Sequence, residues 1–328
     1  MKNLFKLFTR FFFVTTFIFS TQSIAITADE IENANPTGQT VEFWVQYSDE
    51  RLDAMMARAE RFEKETGIRV EAIYDTEASK TVGLAERLRA EKARPRCDVH
   101  WSNEPLRSVR LANEGIYRSL PEGFAPGIAA KWRDPQNRWC GFAGRVRALA
   151  LDPQSPAGTK PPTSVRDLVD EQWRDKVALA DPRLGTTGTH MAILKWAWGE
   201  ADFTAWLQGL KENGIRIAAS NSATRDRVIT GEVWIGLTDT DDIEVVRRRG
   251  IDLVEGFTEE DGVILLPNVV GLIEGSPHPD EAEALARWLL VASPGVPTRA
   301  NSRSNPASSP RILLSQIDLR CQETTGTG

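Results

Sequence analysis

Three carboxylates fall within four residues at Asp239, Asp241 and Asp242, directly after the apolar run Val233 to Leu237. Such a run reads as a strand, so the acids lie at its carboxyl end, where open α/β sheets bind their ligands. Carboxylate oxygen suits hard metal cations and pairs with ammonium groups. The same residues also suit the first turn of a following helix, Asp242 to Arg249, where acids offset the positive end of the helix dipole. Three acids at one strand end exceed what a cap requires, so ligation and capping stand side by side as readings.

A second constellation has the opposite preference. Thr187-Gly188-Thr189 opens an apolar helix after the turn-forming Asp181 to Leu184. Backbone N–H groups at a helix start attract carbonate, phosphate or carboxylate; a glycine-relieved turn with a threonine cap is the plainer alternative. Arg145 and Arg147 alternate on a strand between small residues, so one should face a cleft and the other form a structural ion pair. Further strand ends place Ser48, Asp49, Asp75, Glu77, Ser102 and Asn103 at the same kind of address. Trp101, beside Ser102, is either a core aromatic or part of a cleft wall.

The elements that would carry these residues follow an α/β grammar. Val41, Phe43 and Val45 alternate with polar or differently sized neighbours, and Leu52, Met55, Met56, Ala59 and Phe62 then hold helical spacing up to Gly67. Strands at Ile68 to Ile73 and Val99 to Trp101 enclose a helix from Lys80 to Lys92, and Glu104 to Asn113 is a further helix. The second half repeats the cycle: strands at Arg145 to Asp152, Val177 to Ala180, Val233 to Leu237 and Val263 to Ile273, with helices after Thr189, around Phe203 to Leu210, from Asn221, and from Asp280 to Val291. Ser164 to Asp167 fits a capping box. Alternation with short connections predicts mainly parallel sheets flanked by helices.

A chain of 328 residues exceeds what one core usually holds, and two lobes are expected. Lys2, Lys6 and Arg10 precede the apolar run Phe11 to Phe19 and the small residues Ser23-Ile24-Ala25. This predicts a signal peptide over residues 1–25, since the run is short of the roughly 20 apolar residues a membrane span needs. Its removal would take the formal charge from −6 to −9, a balance that disfavours nucleic acid as a partner. Cys97, Cys140 and Cys321 are an odd set without CxxC spacing, so one thiol must lack an intrachain partner, and whether Cys140 pairs with Cys321 stays open. Residues 296–328, rich in Ser, Pro and Thr, read as a poorly ordered, divergent tail. The GxSxG, HExxH, GxxxxGK[ST] and strand-associated GxGxxG signatures are missing, which points to binding without catalysis.

The order of a signal peptide, Phe62-Glu63-Lys64-Glu65-Thr66-Gly67-Ile68, Asp98 to Asn103, Gly144 to Arg147, Thr187-Gly188-Thr189 and Trp206 to Lys211 resembles the solute-binding proteins of ABC importers, nearest their ferric-ion-binding branch. The resemblance spans about Val41 to Val291. It implies a type II periplasmic-binding-protein fold of two lobes, hinged by the strands Arg145 to Asp152 and Val263 to Ile273. Lobe one would combine residues 40–145 with 262–295 and lobe two would hold 146–261. It further implies a periplasmic monomer that hands a small ligand or metal ion to a permease. The tandem tyrosines of ferric-binding relatives correspond here to Asp241 and Asp242. The expected cargo is Fe(III), or a ferric complex, with carbonate or phosphate as synergistic anion and no catalytic cofactor. Asp241, Asp242 and Asp49 would hold the metal. Thr187, Gly188, Thr189, Asn221, Arg145, Ser48, Asn103 and Trp101 would hold the anion or the rest of the ligand. A polyamine, with Trp101 as a cation-π face, and a phosphate- or phosphonate-bearing solute are the alternatives.

Overall fold

Strand β4, Trp139–Leu151, belongs to two sheets, and the architecture follows from that. In the computed structural model, which describes residues 40–45, 50–74, 82–155 and 160–292, its first half pairs antiparallel with β9 (Leu265–Leu272), through Trp139 to Val146. From Arg147 to Leu151 it pairs antiparallel with β7 (Ile235–Asp239). The first sheet continues from β9 to β3 (Val99–Ser102), then to β1 (Thr40–Val45) and β2 (Arg69–Tyr74). The second runs from β7 to β5 (Val177–Ala180) and β6 (Arg216–Ala218), with β8 (Val254–Gly256) on the other side of β4. Pairing is parallel within β2-β1-β3 and within β7-β5-β6, and antiparallel wherever β4 or β9 takes part.

Helices cover both sheets. On the first lie α1 (Glu50–Thr66), α2 (Val82–Ala90), α3 (Pro105–Asn113) and α8 (Pro279–Ala292); on the second lie α4 (Gly185–Trp198), α5 (Glu200–Glu212), α6 (Asn221–Ile229) and α7 (Thr240–Arg248). Each sheet has its own core. Phe62 of α1 meets Trp288 of α8 edge-on at 5.7 Å under β1 and β3, while Trp206, Trp173 and Phe203 pack beneath Leu149, Leu179 and Leu237. Strand β5 is buried along its whole length, as an interior parallel strand must be. The register between β4 and β9 shifts between Gly141 and Gly144, and Pro267, which has no N–H to donate, sits opposite. A Cβ on Gly141 would lie 3.0 Å from Pro267 and 3.2 Å from the Trp132 carbonyl, so only glycine lets the bulge close.

Compared with the sequence expectation, β4 starts earlier than Arg145 and β7 ends later than Leu237, at Asp239. The capping box at Ser164 and Asp167 forms as expected, on a short 3-10 turn, and Cys97 and Cys140 are buried, burial pushing the thiol of Cys140 up to about 12. The segment 1–25 expected to be a signal peptide, Ser48, Asp49, Asp75, Glu77, residues 296–328 and Cys321 lie outside the described residues. No helix among the described residues is long and apolar enough to cross a membrane.

Two buried histidines give the fold an acid limit. Burial pushes His100 down to about 3 from an ordinary 6.5, and His190 is held well below its usual value by burial and then by Arg147. An unfolded chain therefore takes up these protons first as pH falls. Stability from the neutral imidazoles is complete above pH 6.5 and is lost progressively towards about 3. Chemical denaturation across that window should show a loss of a few kcal/mol, with a shallower slope in His100→Gln; equal slopes would remove His100 from the account.

Candidate functional site

Three helices begin at one cleft. Its walls are Leu184 to Thr187 at the start of α4, Ser220 to Ser222 at the start of α6, and Asp239 and Asp242 at the start of α7, closed by Arg145 of β4, Ala180 at the end of β5 with Asp181 just after it, and Asn103 just after β3. It encloses about 560 Å³ including its open mouth, room for a small solute. Gly185 takes φ +53°, which turns the chain from Pro182 and Arg183 straight into α4 without a side-chain cap. The first N–H to bond back inside α4 is that of Gly188, to the Leu184 carbonyl at 2.8 Å, so those of Gly185, Thr186 and Thr187 have no partner within the helix. In α6 the Ser220 hydroxyl takes the Ala223 N–H at 2.9 Å, leaving Asn221 and Ser222 in the same condition.

Beneath the cleft lies a closed polar network. The Arg147 guanidinium donates to Asp239 at 2.7 Å, to Thr186, Asn221, Thr187 and His190 at 3.3 Å each, and to the Leu237 carbonyl at 3.4 Å. Asp239 accepts on its other oxygen from the Thr186 hydroxyl at 2.6 Å and from the Asn221 amide at 2.9 Å. Asn221 also donates to Thr186 at 2.7 Å and accepts from Thr187 at 2.9 Å. Asp242, buried, accepts from Ser222 at 3.1 Å and Thr238 at 3.2 Å. Arg145 donates to Asn268 of β9 and stands 3.9 Å from the Asp241 carboxylate. It therefore touches the cleft and strand β9 of the first sheet at the same time.

The geometry sorts the residues expected from the sequence. Thr187, Asn221, Arg145, Asn103 and Asp242 come together at the cleft. Gly188 does not line it: its N–H is inside the helix ladder, and a Cβ there would lie 3.2 Å from the Arg183 backbone, so the glycine admits the preceding loop. Thr189 turns to the other lobe and donates its hydroxyl to Glu104. Trp101 lies in the first core, 2% exposed, its ring centroid 3.9 Å from that of Phe142. Asp241 is half-buried in the first turn of α7, its side chain 32% exposed against 2% for Asp239. Asp239 caps α7 by its backbone position only, with its carboxylate given to Arg147. Even so, one oxygen from each of Asp239, Asp241 and Asp242 lies within 4.8 Å of the others. Of the two alternating arginines, Arg145 is the one that faces the cleft and Arg147 the one that forms the buried ion pair, with Asp239.

A two-sheet α/β chain with a polar cleft at its strand ends defines a ligand-binding protein of the hinged, two-lobed class. Residues 109–295 match the model of the bacterial extracellular solute-binding proteins, and the chain belongs to that family. It is 25% identical to the major ferric iron-binding protein of Neisseria meningitidis over 256 residues, 74% of each chain. It is 23% identical over 213 residues to a Salmonella typhi periplasmic protein named for 2-aminoethylphosphonate binding, 63% of this chain and 61% of that one. Among solved structures, iron-bound HitA from Pseudomonas aeruginosa superposes with a TM-score of 0.69 at 22% identity, over 84% of this chain and 92% of that one. The fold is the type II periplasmic-binding-protein fold.

Proposed function

We propose that the chain is the periplasmic binding component of an ABC importer. Its cargo is a small solute with a phosphonate or phosphate group at one end and a hydrogen-bond-donating ammonium or hydroxyl at the other. The lobe division 40–145 with 262–295 against 146–261 belongs to this reading, supported by the change of partner along β4 between Val146 and Arg147. The observation that carries the ligand class is the split polarity of the cleft. Unbonded first-turn N–H groups of α4 and α6, with Arg145, call for an oxyanion. Asp242 and the neighbouring Asp241 call for a donor. A 2-aminoethylphosphonate has both ends, and the name of the Salmonella typhi relative points the same way.

Fe(III) with a synergistic anion is the second reading, favoured by the three close carboxylates and by the ferric name of the Neisseria relative. It stands second because Asp239 is already engaged by Arg147, and because the family resemblance implies carboxylates, Asp241 and Asp242, where ferric-binding relatives carry tandem tyrosines. The polyamine alternative loses its aromatic face, since Trp101 is in the core. Thermal shifts of protein purified without chelator should rise with 2-aminoethylphosphonate or a hexose phosphate, with compaction in small-angle scattering. Iron in the purified protein, a shift with ferric citrate and none with phosphoryl compounds would reverse the order.

A further inference from the structure

Donor arithmetic separates the groups that can meet a ligand from those that cannot. A guanidinium has five N–H protons, and Arg147 directs its own at six acceptors inside the protein. Both amide protons of Asn221 are used, on Thr186 and Asp239, and its oxygen already accepts from Arg147 and Thr187. The Thr186 proton goes to Asp239 and the Thr187 proton to Asn221. These side chains therefore present no spare donor to an oxyanion. They fix the first turns of α4 and α6, whose backbone N–H groups remain.

Asp239 lines the cleft floor, whereas Arg147 is behind it and does not. A lone buried carboxylate in that place would repel any anion entering between the two helix starts. The Arg147 charge, 2.7 Å away, cancels it. We propose that the Arg147–Asp239 pair sets the charge an incoming oxyanion meets between the starts of α4 and α6, and so determines whether that end of the cleft accepts it. Neither member needs to touch the ligand; both are positioning residues. The inference rests on the anion reading of the cleft.

The two singles must then act in opposite directions. Asp239→Asn leaves the arginine uncompensated and should tighten binding of sulfate, a probe of charge without organic structure, by about tenfold at low salt, as expected for one charge at this range in a partly screened site. Arg147→Gln should weaken it by about tenfold, and the double variant should return to within about threefold of the starting protein. The opposed effects should shrink together as sodium chloride is raised. A purely structural pair predicts loss in both singles, and that result, or no rescue in the double variant, overturns the proposal. Should Arg147→Gln fail to fold, the sign of the Asp239→Asn effect alone decides. Calorimetry with 2-aminoethylphosphonate in parallel keeps the two claims apart. Starting protein that binds it, with singles that do not oppose each other on sulfate, sinks only the pair. Starting protein that binds neither probe sinks the ligand reading, and Asp239→Asn then supports the pair by acquiring sulfate binding or overturns it by failing to.

Discussion

Trp101→Ala should lower the unfolding free energy by about 3 to 5 kcal/mol, the usual cost of deleting a large buried aromatic. Ligand affinity per folded molecule should hardly change. The indole is 2% exposed, its ring centroid 3.9 Å from that of Phe142 at a tilt of 50° and edge-on at 6.2 Å from Phe43, among the apolar side chains that join β1, β3, β4 and α8. Removing it opens a cavity that rigid strands on two sides cannot close. For a protein whose stability is of order 5 to 15 kcal/mol, that is a large fraction. Urea denaturation followed by circular dichroism measures it. The opposite pattern, a stable variant with lost affinity, is what a cleft-lining tryptophan would give, and observing it would return Trp101 to the binding site.

The misplacement of Trp101 shows where sequence reasoning reaches its end. Strand ends are legible from apolar runs, but period-2 alternation does not say which face of a doubly covered sheet meets a cleft. Gly141 and Gly144 interrupt the alternation of β4 before Arg145, and Gly141 is the one that the bulge against Pro267 requires. Strands β6 and β8 have three residues each, too few for any periodicity. The site was legible in outline, since Thr187, Asn221, Arg145, Asn103 and Asp242 do converge. Its details turned on helix register. Once α4 begins at Gly185, the unbonded N–H groups belong to residues 185–187 instead of 187–189, and Thr189 is carried round to the far side. Arg147 meets partners from α4, α6 and β7 up to 92 residues away in sequence, a convergence with no local signature.

Thr189→Val should open the ligand-free protein. The Thr189 hydroxyl of α4 donates to the Glu104 carboxylate at the start of α3, so under the proposed lobe division this hydrogen bond runs from one lobe to the other. Glu104 is 2% exposed, and burial pushes its carboxyl above the ordinary range against the pull of Thr189 and of the Arg107 and Leu106 N–H groups. A hydrogen bond to a buried carboxylate contributes about 1.5 to 3 kcal/mol. Valine keeps the shape and removes the donor, so the closed-to-open ratio should fall by about ten- to a hundredfold. The helix cap survives, because Glu104 still accepts from Leu106 at 2.9 Å and Arg107 at 2.8 Å. Small-angle scattering of the ligand-free variant should therefore show a larger radius of gyration, with a melting temperature lower by roughly 3 to 10 °C. Because closure would then depend on the ligand alone, affinity should drop by the factor lost from the closed population. Glu104→Ala, which deletes clasp and cap together, should open the protein equally and cost about 1 kcal/mol more in stability. A Thr189→Val protein as compact as the original would mean that the lobes are held by packing, such as Ile193 of α4 against Leu266 of β9, and not by this bond.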